Sequence, residues 1–166
     1  MTGGYSIVEI LIYVALFATL SIAVINSFIV VVSSFNSTRV NRNLLEAGST
    51  IMERISREIR QSYAIDVSGS TLGTSPGVLD MDTTSTGGGN TTVKFIVENG
   101  LLNMYDGSSI VGSLNSPSIS IQSIIFRKIS TAESDAVKIE LTLQDTTSKT
   151  LRSENFYNTI ILRETY

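Results

Sequence analysis

The feature that most constrains this chain is a run of 29 residues, Ile10 to Thr38, that contains no charged side chain. As a helix, Ile10 to Phe35 alone would extend roughly 39 Å at ~1.5 Å per residue, more than the ~30 Å hydrocarbon core of a bilayer. The run therefore predicts a single membrane span. Glu9 stands directly before it and is the only charged residue ahead of Arg39, so its position needs an explanation.

The inventory of side chains excludes several kinds of chemistry. The 166 residues include no cysteine and no histidine, which rules out disulfides, thiolate nucleophiles, imidazole bases and the usual zinc sites. We expect no enzyme, no catalytic residue, no cofactor and no metal site. Asp80 and Asp82 could offer oxygen ligands to Ca²⁺, but their spacing matches no dedicated loop, and a solvated turn is the favoured interpretation.

Charge is distributed unevenly along the chain. The net charge is -3, with arginines in excess just after the apolar run and acidic residues in excess from Gln61 onward. An acidic domain is a poor electrostatic partner for nucleic acid. We therefore expect no direct nucleic acid binding.

The segment after the apolar run has the periodicity of a helix. Its apolar residues recur mostly at four-residue spacing, and Glu53 with Arg57, and Arg54 with Glu58, are spaced to form ion pairs along one face. No proline occurs before Pro76. These features predict one helix from about Ser6 to about Gln61, with Gly48 and the pair Asn26–Ser27 as its weakest points.

The remainder of the chain has the pattern of a β-rich domain. A Gly/Ser/Thr/Asp-rich loop over residues 68–90 holds one short strand near Val78 to Met81, and Asn99–Gly100 between two β-prone runs predicts a hairpin. Three more strands follow in SISIQSIIFRKI, AVKIELTLQ and NFYNTIILR, the second of which alternates apolar and polar residues. The order predicts an α+β fold in which a long N-terminal helix packs on a small antiparallel sheet. Its core is expected to include the aromatic residues Phe95, Phe126, Phe156 and Tyr157.

Three interpretations of the N-terminus compete. In the first, the segment is an ordinary anchor of an extracytoplasmic binding domain, and Glu9 lies at the membrane interface. In the second, it is a secretory signal peptide cut after Ala23, which the missing basic n-region and the apolar residues beyond Ala23 disfavour.

The third interpretation comes from a resemblance. The stretch GYSIVE, Gly4 to Glu9, followed at once by an apolar helix, resembles the N-terminal signal of type IV pilins and type II secretion pseudopilins. The resemblance implies that a prepilin peptidase cleaves between Gly4 and Tyr5 and N-methylates Tyr5, which leaves Glu9 as the fifth residue of the mature chain. It covers about 30 residues.

The spacing of Tyr5 and Glu9 has a physical rationale under this interpretation. Cleavage would create a positive amine on Tyr5, four residues from Glu9 on one helical face. An unpaired carboxylate in lipid costs at least ~2.5 to 3.5 kcal/mol. Pairing with the amine of a neighbouring subunit would offset that cost and fix the register between helices.

The rest of the chain is similar, more weakly, to minor pilins and J-type pseudopilins, in part through MERISREIRQSYAI, Met52 to Ile65. The implied organisation is a leader at 1–4, a membrane and filament-core helix at 5–38, an amphipathic helix at 39–62 and an extracytoplasmic β-rich head at 63–166. The implied partners are the prepilin peptidase, other pilin subunits, an inner-membrane assembly platform and membrane lipid. The implied location is the cytoplasmic membrane, with the N-terminus inside, and then a filament.

Three features depart from the family pattern. The residues MTGG carry no basic side chain, whereas Arg39 and Arg42 follow the span, and the positive-inside rule taken alone would predict the opposite orientation. Asn26 stands where many major pilins have a helix-loosening proline. The absence of cysteine excludes the disulfide-closed loop of many major pilins and favours a minor or pseudopilin role.

Overall fold

The structure is a computed structural model that describes residues 6–84, 88–131, 134–147 and 151–162. The chain divides into two compact units, Met1–Arg39 and Val40–Tyr166. A single helix, α1 (Ile7–Gln61), belongs to the first unit in its N-terminal part and to the second in its C-terminal part. Its bounds confirm the helix predicted from about Ser6 to about Gln61.

The segment of α1 within the second unit packs through the predicted apolar stripe. Leu44, Ile51, Ile55 and Ile59 are fully buried, and Val40 packs against the same core. Both predicted ion pairs form on this segment, Arg57 to Glu53 at 2.8 Å and Arg54 to Glu58 at 3.0 Å. The four-residue periodicity therefore reports the buried face correctly.

Gly48 lies inside an uninterrupted helix and does not weaken it in the expected way. A Cβ at this position would collide with the aromatic ring of Phe156. Glycine lets the ring pack directly on the helix backbone, so its role is close approach rather than a soft point. In the first unit, α1 also continues through Asn26 and Ser27 without a break.

Within the described residues, eight strands follow the helix: β1 (Ser62–Ile65), β2 (Leu79–Thr84), β3 (Asn90–Glu98), β4 (Leu101–Asp106), β5 (Ser109–Ser113), β6 (Ile119–Ser130), β7 (Asp135–Asp145) and β8 (Ser153–Ile161). All pair antiparallel, in a five-stranded sheet of order β1-β2-β3-β4-β5 and a three-stranded sheet of order β6-β7-β8. The C-terminal part of α1 shares one hydrophobic core with both sheets. This confirms the α+β class and shows two sheets in place of one; β1 and β5 were not predicted.

Local sequence explains the hairpins that were predicted. Asn99 and Gly100 adopt φ of 52° and 77° between β3 and β4, as an Asn-Gly turn of a two-residue hairpin requires. In β7 the apolar residues Val137, Ile139 and Leu143 are fully buried, while the alternate residues are only partly buried. The period-2 pattern therefore identifies the core face of this strand.

Buried Asn115 links the two sheets. Its Oδ1 accepts a hydrogen bond of 2.7 Å from the Leu102 N–H in β4, while its Nδ2 donates to the carbonyls of Gly100 at 3.1 Å and Ile119 at 2.6 Å. Ile119 begins β6, so one amide side chain satisfies backbone groups of both sheets. Without Asn115 the Leu102 N–H and the Ile119 carbonyl would be buried without this partner, whereas the Gly100 carbonyl also accepts a hydrogen bond of 2.9 Å from the Ile121 N–H.

The free edges of the two sheets differ in how they are covered. The loop over 73–77 covers the outer edge of β6, because the N–H groups of Gly73 and Gly77 donate to the carbonyls of Phe126 and Ile124, both at 2.8 Å. The edge strand β1 has only four residues. β8, the longest uncovered edge in the described part of the chain, has nine.

Two expectations about the head were wrong. Tyr157 lies on the exposed face of β8 and is 67% exposed, whereas Phe95 and Phe126 are buried and Phe156 packs against the core. Asp80 and Asp82 lie within β2 rather than in a solvated turn, and Asp80 is buried. The two errors have different origins: β8 directs Tyr157 outward next to the inward-facing Phe156, whereas β2 buries Leu79, Asp80 and Met81 in succession.

Candidate membrane-spanning and assembly segment

The N-terminal segment of α1, residues 7–39, contains no buried residue. Its large apolar side chains are mostly exposed within this chain, among them Phe17, Phe28 and Phe35. The helix is long and apolar enough to cross a membrane. A helix segment that is apolar on all sides and exposes its side chains needs lipid or other helices around it.

Two threonine hydroxyls in this segment are satisfied within the helix itself. The Thr19 hydroxyl donates to the Leu16 carbonyl at 2.9 Å, and the Thr38 hydroxyl donates to the Ser34 carbonyl at 3.1 Å. Such back-bonding removes the cost of an unpartnered hydroxyl in a hydrocarbon environment. The hydroxyls are therefore compatible with a membrane segment.

Glu9 lies in the first turn of α1. Its backbone N–H donates to the carbonyl of Ser6 at 2.9 Å, and its Oε1 accepts a hydrogen bond from the Tyr13 hydroxyl at 3.0 Å. A carboxylate in the first turn is also favoured by the positive end of the helix dipole. Among the described residues, Tyr13 is the one side chain that donates a hydrogen bond to this carboxylate.

Tyr13 is a hydrogen-bonding neighbour of Glu9 that the sequence alone did not single out. The signal was its position, because residues four apart lie on the same helical face and Tyr13 is the next such residue after Glu9. Gly4 and Tyr5, the predicted cleavage and methylation residues, lie outside the described residues. The structure therefore places Glu9 alone of the three predicted site residues.

Asp80, the residue considered for calcium, already has a cationic partner. Its Oδ2 lies 3.2 Å from Lys94 Nζ, while its Oδ1 is buried without a hydrogen-bond partner among the described residues. Nearby, a hydrogen bond from the Ser68 hydroxyl, followed by backbone hydrogen bonds from Gly69 and Ser68, lowers the pKa of Asp66. No group of three or more acidic, histidine or cysteine ligands occurs among the residues described.

Comparisons with protein-family models, with curated proteins and with solved structures find no match to this chain.

Proposed function

We propose that the chain is a minor pilin or pseudopilin. In this proposal it is a non-enzymatic subunit that prepilin peptidase processes between Gly4 and Tyr5 and that enters a pilus, secretion or competence-type filament through its N-terminal helix. The observation that carries the proposal is the placement of Glu9, the only charged residue before Arg39, in the first turn of a helix whose N-terminal segment is apolar and exposed.

The exposure of the N-terminal segment supports two successive environments. Before assembly, its apolar side chains lie in the cytoplasmic membrane, with the N-terminus inside and the head outside. In the filament, the same side chains pack against the helices of other copies. A surface without a partner in its own chain serves both states, because lipid and neighbouring helices are both apolar.

The Glu9 carboxylate gives the assembled state its register. Tyr13 supplies one hydrogen bond in each chain, and the new amine of Tyr5 in a neighbouring subunit supplies the opposite charge after cleavage. A pair buried among apolar helices is strongly destabilised when one partner is lost. Correct register is therefore favoured over every register that leaves the carboxylate without an amine.

Processing is the direct test. The full-length chain is produced with and without a prepilin peptidase, and its intact mass and N-terminal sequence are measured. We expect a mature chain that begins at N-methylated Tyr5 only when the peptidase is present. A Gly4→Val variant serves as the matched control and should remain unprocessed.

Two other results would overturn the proposal. A chain that keeps Met1 in the presence of active peptidase would support a plain membrane-anchored extracytoplasmic binding domain. A chain that begins at Val24 would support a signal peptide.

A further inference from the structure

Two unlike exposed surfaces lie on opposite flanks of the same segment of α1 in the second unit. A groove of about 790 Å³ runs between the helix and β8 and includes Leu45, Met52, Phe156 and Arg60 in its lining. A second groove of about 470 Å³ runs between the helix and β5 and includes Arg54 and Val111. Glu53 and Arg57 line both grooves, so they form the exposed ridge between the two flanks.

The β8 flank is open for pairing. The Leu162 N–H donates to the backbone carbonyl of Asp135, and the Arg152 carbonyl accepts from the Asp145 N–H, both at 2.9 Å. Even-numbered residues of β8 therefore direct their backbone groups toward β7. Odd-numbered residues, including Tyr157, direct theirs outward, because backbone groups alternate along an edge strand. The Thr159 N–H confirms this direction, since it is bonded at 2.9 Å to the side chain of Asn158 rather than to β7.

The β5 flank is apolar and equally uncovered. Ile110 and Val111 are 58% and 57% exposed on this edge strand, which pairs with β4 alone. Long or apolar edges without charge or cover are the ones that pair with other chains. β5 contains no charged residue, and the only charged residue from Leu101 to Ser113 is Asp106.

The two edges run in opposite directions relative to the helix. Arg152 contacts Asn41 at 3.0 Å and Asn158 contacts Ser56 at 3.1 Å, so β8 runs in the same direction as α1. On the other flank, Arg54 Nε lies 3.4 Å from the sulfur of Met104. The Thr83 hydroxyl donates to the Gln61 carbonyl, Thr83 is paired with Thr91, and the Thr91 hydroxyl donates to Asp106. Met104 therefore lies beside Arg54 and Asp106 lies toward Gln61, so β4 runs in the same direction as α1.

Because β5 is antiparallel to β4, β5 runs in the direction opposite to α1. Two copies whose helix segments are parallel therefore present β5 and β8 to each other as antiparallel edges, which is the geometry of the existing sheets. Both Val40 ends then face the same way, as two chains anchored in one membrane require.

The two flanks carry opposite charges near the Gln61 end of α1. Arg60 lines the β8-side groove and forms no ion pair with any residue that the structure describes. Asp106 lies in the row of contacts that begins at Gln61, accepts a hydrogen bond of 2.8 Å from the Thr91 hydroxyl, and likewise forms no ion pair within the described ranges. Lateral apposition of the two flanks brings these opposite charges together, while Ile110 and Val111 face the apolar part of the groove.

We infer that the β5 flank of one copy docks on the β8 flank of the next copy. The interface is heterologous, with unlike surfaces in contact, so the contact repeats from copy to copy instead of closing a two-fold dimer. The partner to which the inference commits is a second copy of this chain, and the inference rests on the proposed filament function for its setting. Its contacts lie entirely in the second unit.

The lack of cysteine in the natural sequence makes crosslinking a clean test. Two differently tagged full-length chains, one with Val111→Cys and one with Tyr157→Cys, are co-expressed and treated in membranes with a short bismaleimide. We expect a mixed dimer in severalfold excess over the dimers that either variant forms alone. One chain that carries both substitutions should give a ladder of oligomers.

A matched control uses Val67→Cys, since Val67 and Val111 are both valines with 57% exposure and Val67 belongs to neither flank. The mixture of Val67→Cys with Tyr157→Cys should give only background product. Equal yields from the Val111 and Val67 mixtures would overturn the inference. Abundant dimers of Tyr157→Cys alone would also overturn it, in favour of two-fold β8 pairing. Labelling of each variant with a monofunctional maleimide verifies that every cysteine reacts.

The charge match has its own test. Asp106→Arg in the Val111→Cys chain, or Arg60→Asp in the Tyr157→Cys chain, should reduce the mixed dimer roughly two- to fivefold, as expected for an exposed ion pair. The two reversals together should restore it. Unchanged yield in both single reversals would contradict the proposed alignment of the flanks.

Failure of this interface and failure of the proposed function give different results. A chain that is processed at Tyr5 and enters filaments without the Val111–Tyr157 product retains the function and loses the interface. A chain that gives the product but retains Met1 in the presence of peptidase retains the interface and loses the function.

Discussion

The hydroxyl of Tyr13 donates a hydrogen bond to Oε1 of Glu9 over 3.0 Å, across one turn of α1. The hydrogen bond and the charge of Glu9 can be removed separately, because glutamine keeps an acceptor for Tyr13 but carries no charge, whereas leucine loses both. Comparison of the glutamine and leucine variants therefore tests which property of Glu9 the proposed assembly requires.

For Glu9→Gln and Glu9→Leu we expect normal membrane insertion and a similar, large loss of incorporation into filaments. The reason is that both variants lack the charge that pairs with a neighbouring amine. Immunoblots of sheared filaments and of the membrane fraction measure the distribution. Tyr13→Phe, which keeps the charge, is the control and should still be incorporated; wild-type incorporation of Glu9→Gln would show that the hydrogen bond is sufficient.

Gly48→Ala should destabilise the head although alanine is the better helix former. The propensity gain is at most about 1 kcal/mol, whereas forcing the Phe156 ring away from the helix should cost about 1–3 kcal/mol. Urea unfolding of the full chain in detergent, followed by circular dichroism, measures the difference. Ser49→Ala, at the exposed neighbouring position, should not destabilise, and Phe156→Leu should reduce the cost of Gly48→Ala.

Asn115→Ala should be among the most damaging polar substitutions in the head. It leaves the Leu102 N–H and the Ile119 carbonyl without their partner, while the Gly100 carbonyl keeps the Ile121 N–H as a donor, and we expect a loss of about 3 kcal/mol. The same unfolding measurement reports it. Asn90→Ala, at an exposed position, should change stability by no more than about 0.5 kcal/mol, and an equally small effect at Asn115 would contradict the bridging role.

Asp135 should make the head more stable at neutral than at acidic pH. The hydrogen bond from Lys128, at 2.7 Å, is the largest cause that lowers the pKa of this carboxyl below its ordinary 3.8. Because the pKa is lower in the folded state, the stabilisation is present above about pH 4 and is lost as the pH falls through the folded pKa.

Asp135→Asn should therefore lower the unfolding free energy at pH 7 by about 1 kcal/mol or less, as for other partly exposed pairs. The difference from wild type should shrink toward pH 3. Lys128→Gln should reproduce this behaviour, and a difference that stays constant between pH 7 and pH 3 would exclude the ion pair as its cause.

Sequence periodicity predicted those elements whose local pattern and tertiary burial agree. The helical stripe of Leu44, Ile51 and Ile59 and the alternation in β7 both mark faces that the fold buries. β1 was not predicted because it begins directly after Gln61, with no turn residue between the helix and the strand. β5 was not predicted because it has only five residues, and one of them is Gly112, with φ of 148°.

The candidate site divides in the same way. Glu9 is conspicuous as one charge beside an apolar run, but its hydrogen bond with Tyr13 depends on a rotamer that no pattern specifies. The exposure of Tyr157 and the burial of Asp80 depend on which strands lie beside β8 and β2. Long-range pairing of this kind is not encoded in local spacing.

The loop that covers β6 determines how many contacts a copy of this chain can make through its sheet edges. With the outer edge of β6 occupied by Gly73 and Gly77 and the edge strand β1 limited to four residues, the docking flanks proposed at β5 and β8 give each subunit a valence of two, with unlike ends. A polymer of such subunits has polarity, because one terminus always presents β5 and the other β8. A copy with one blocked flank is consequently a chain terminator, and a small fraction of such copies is enough to limit the length of the whole assembly.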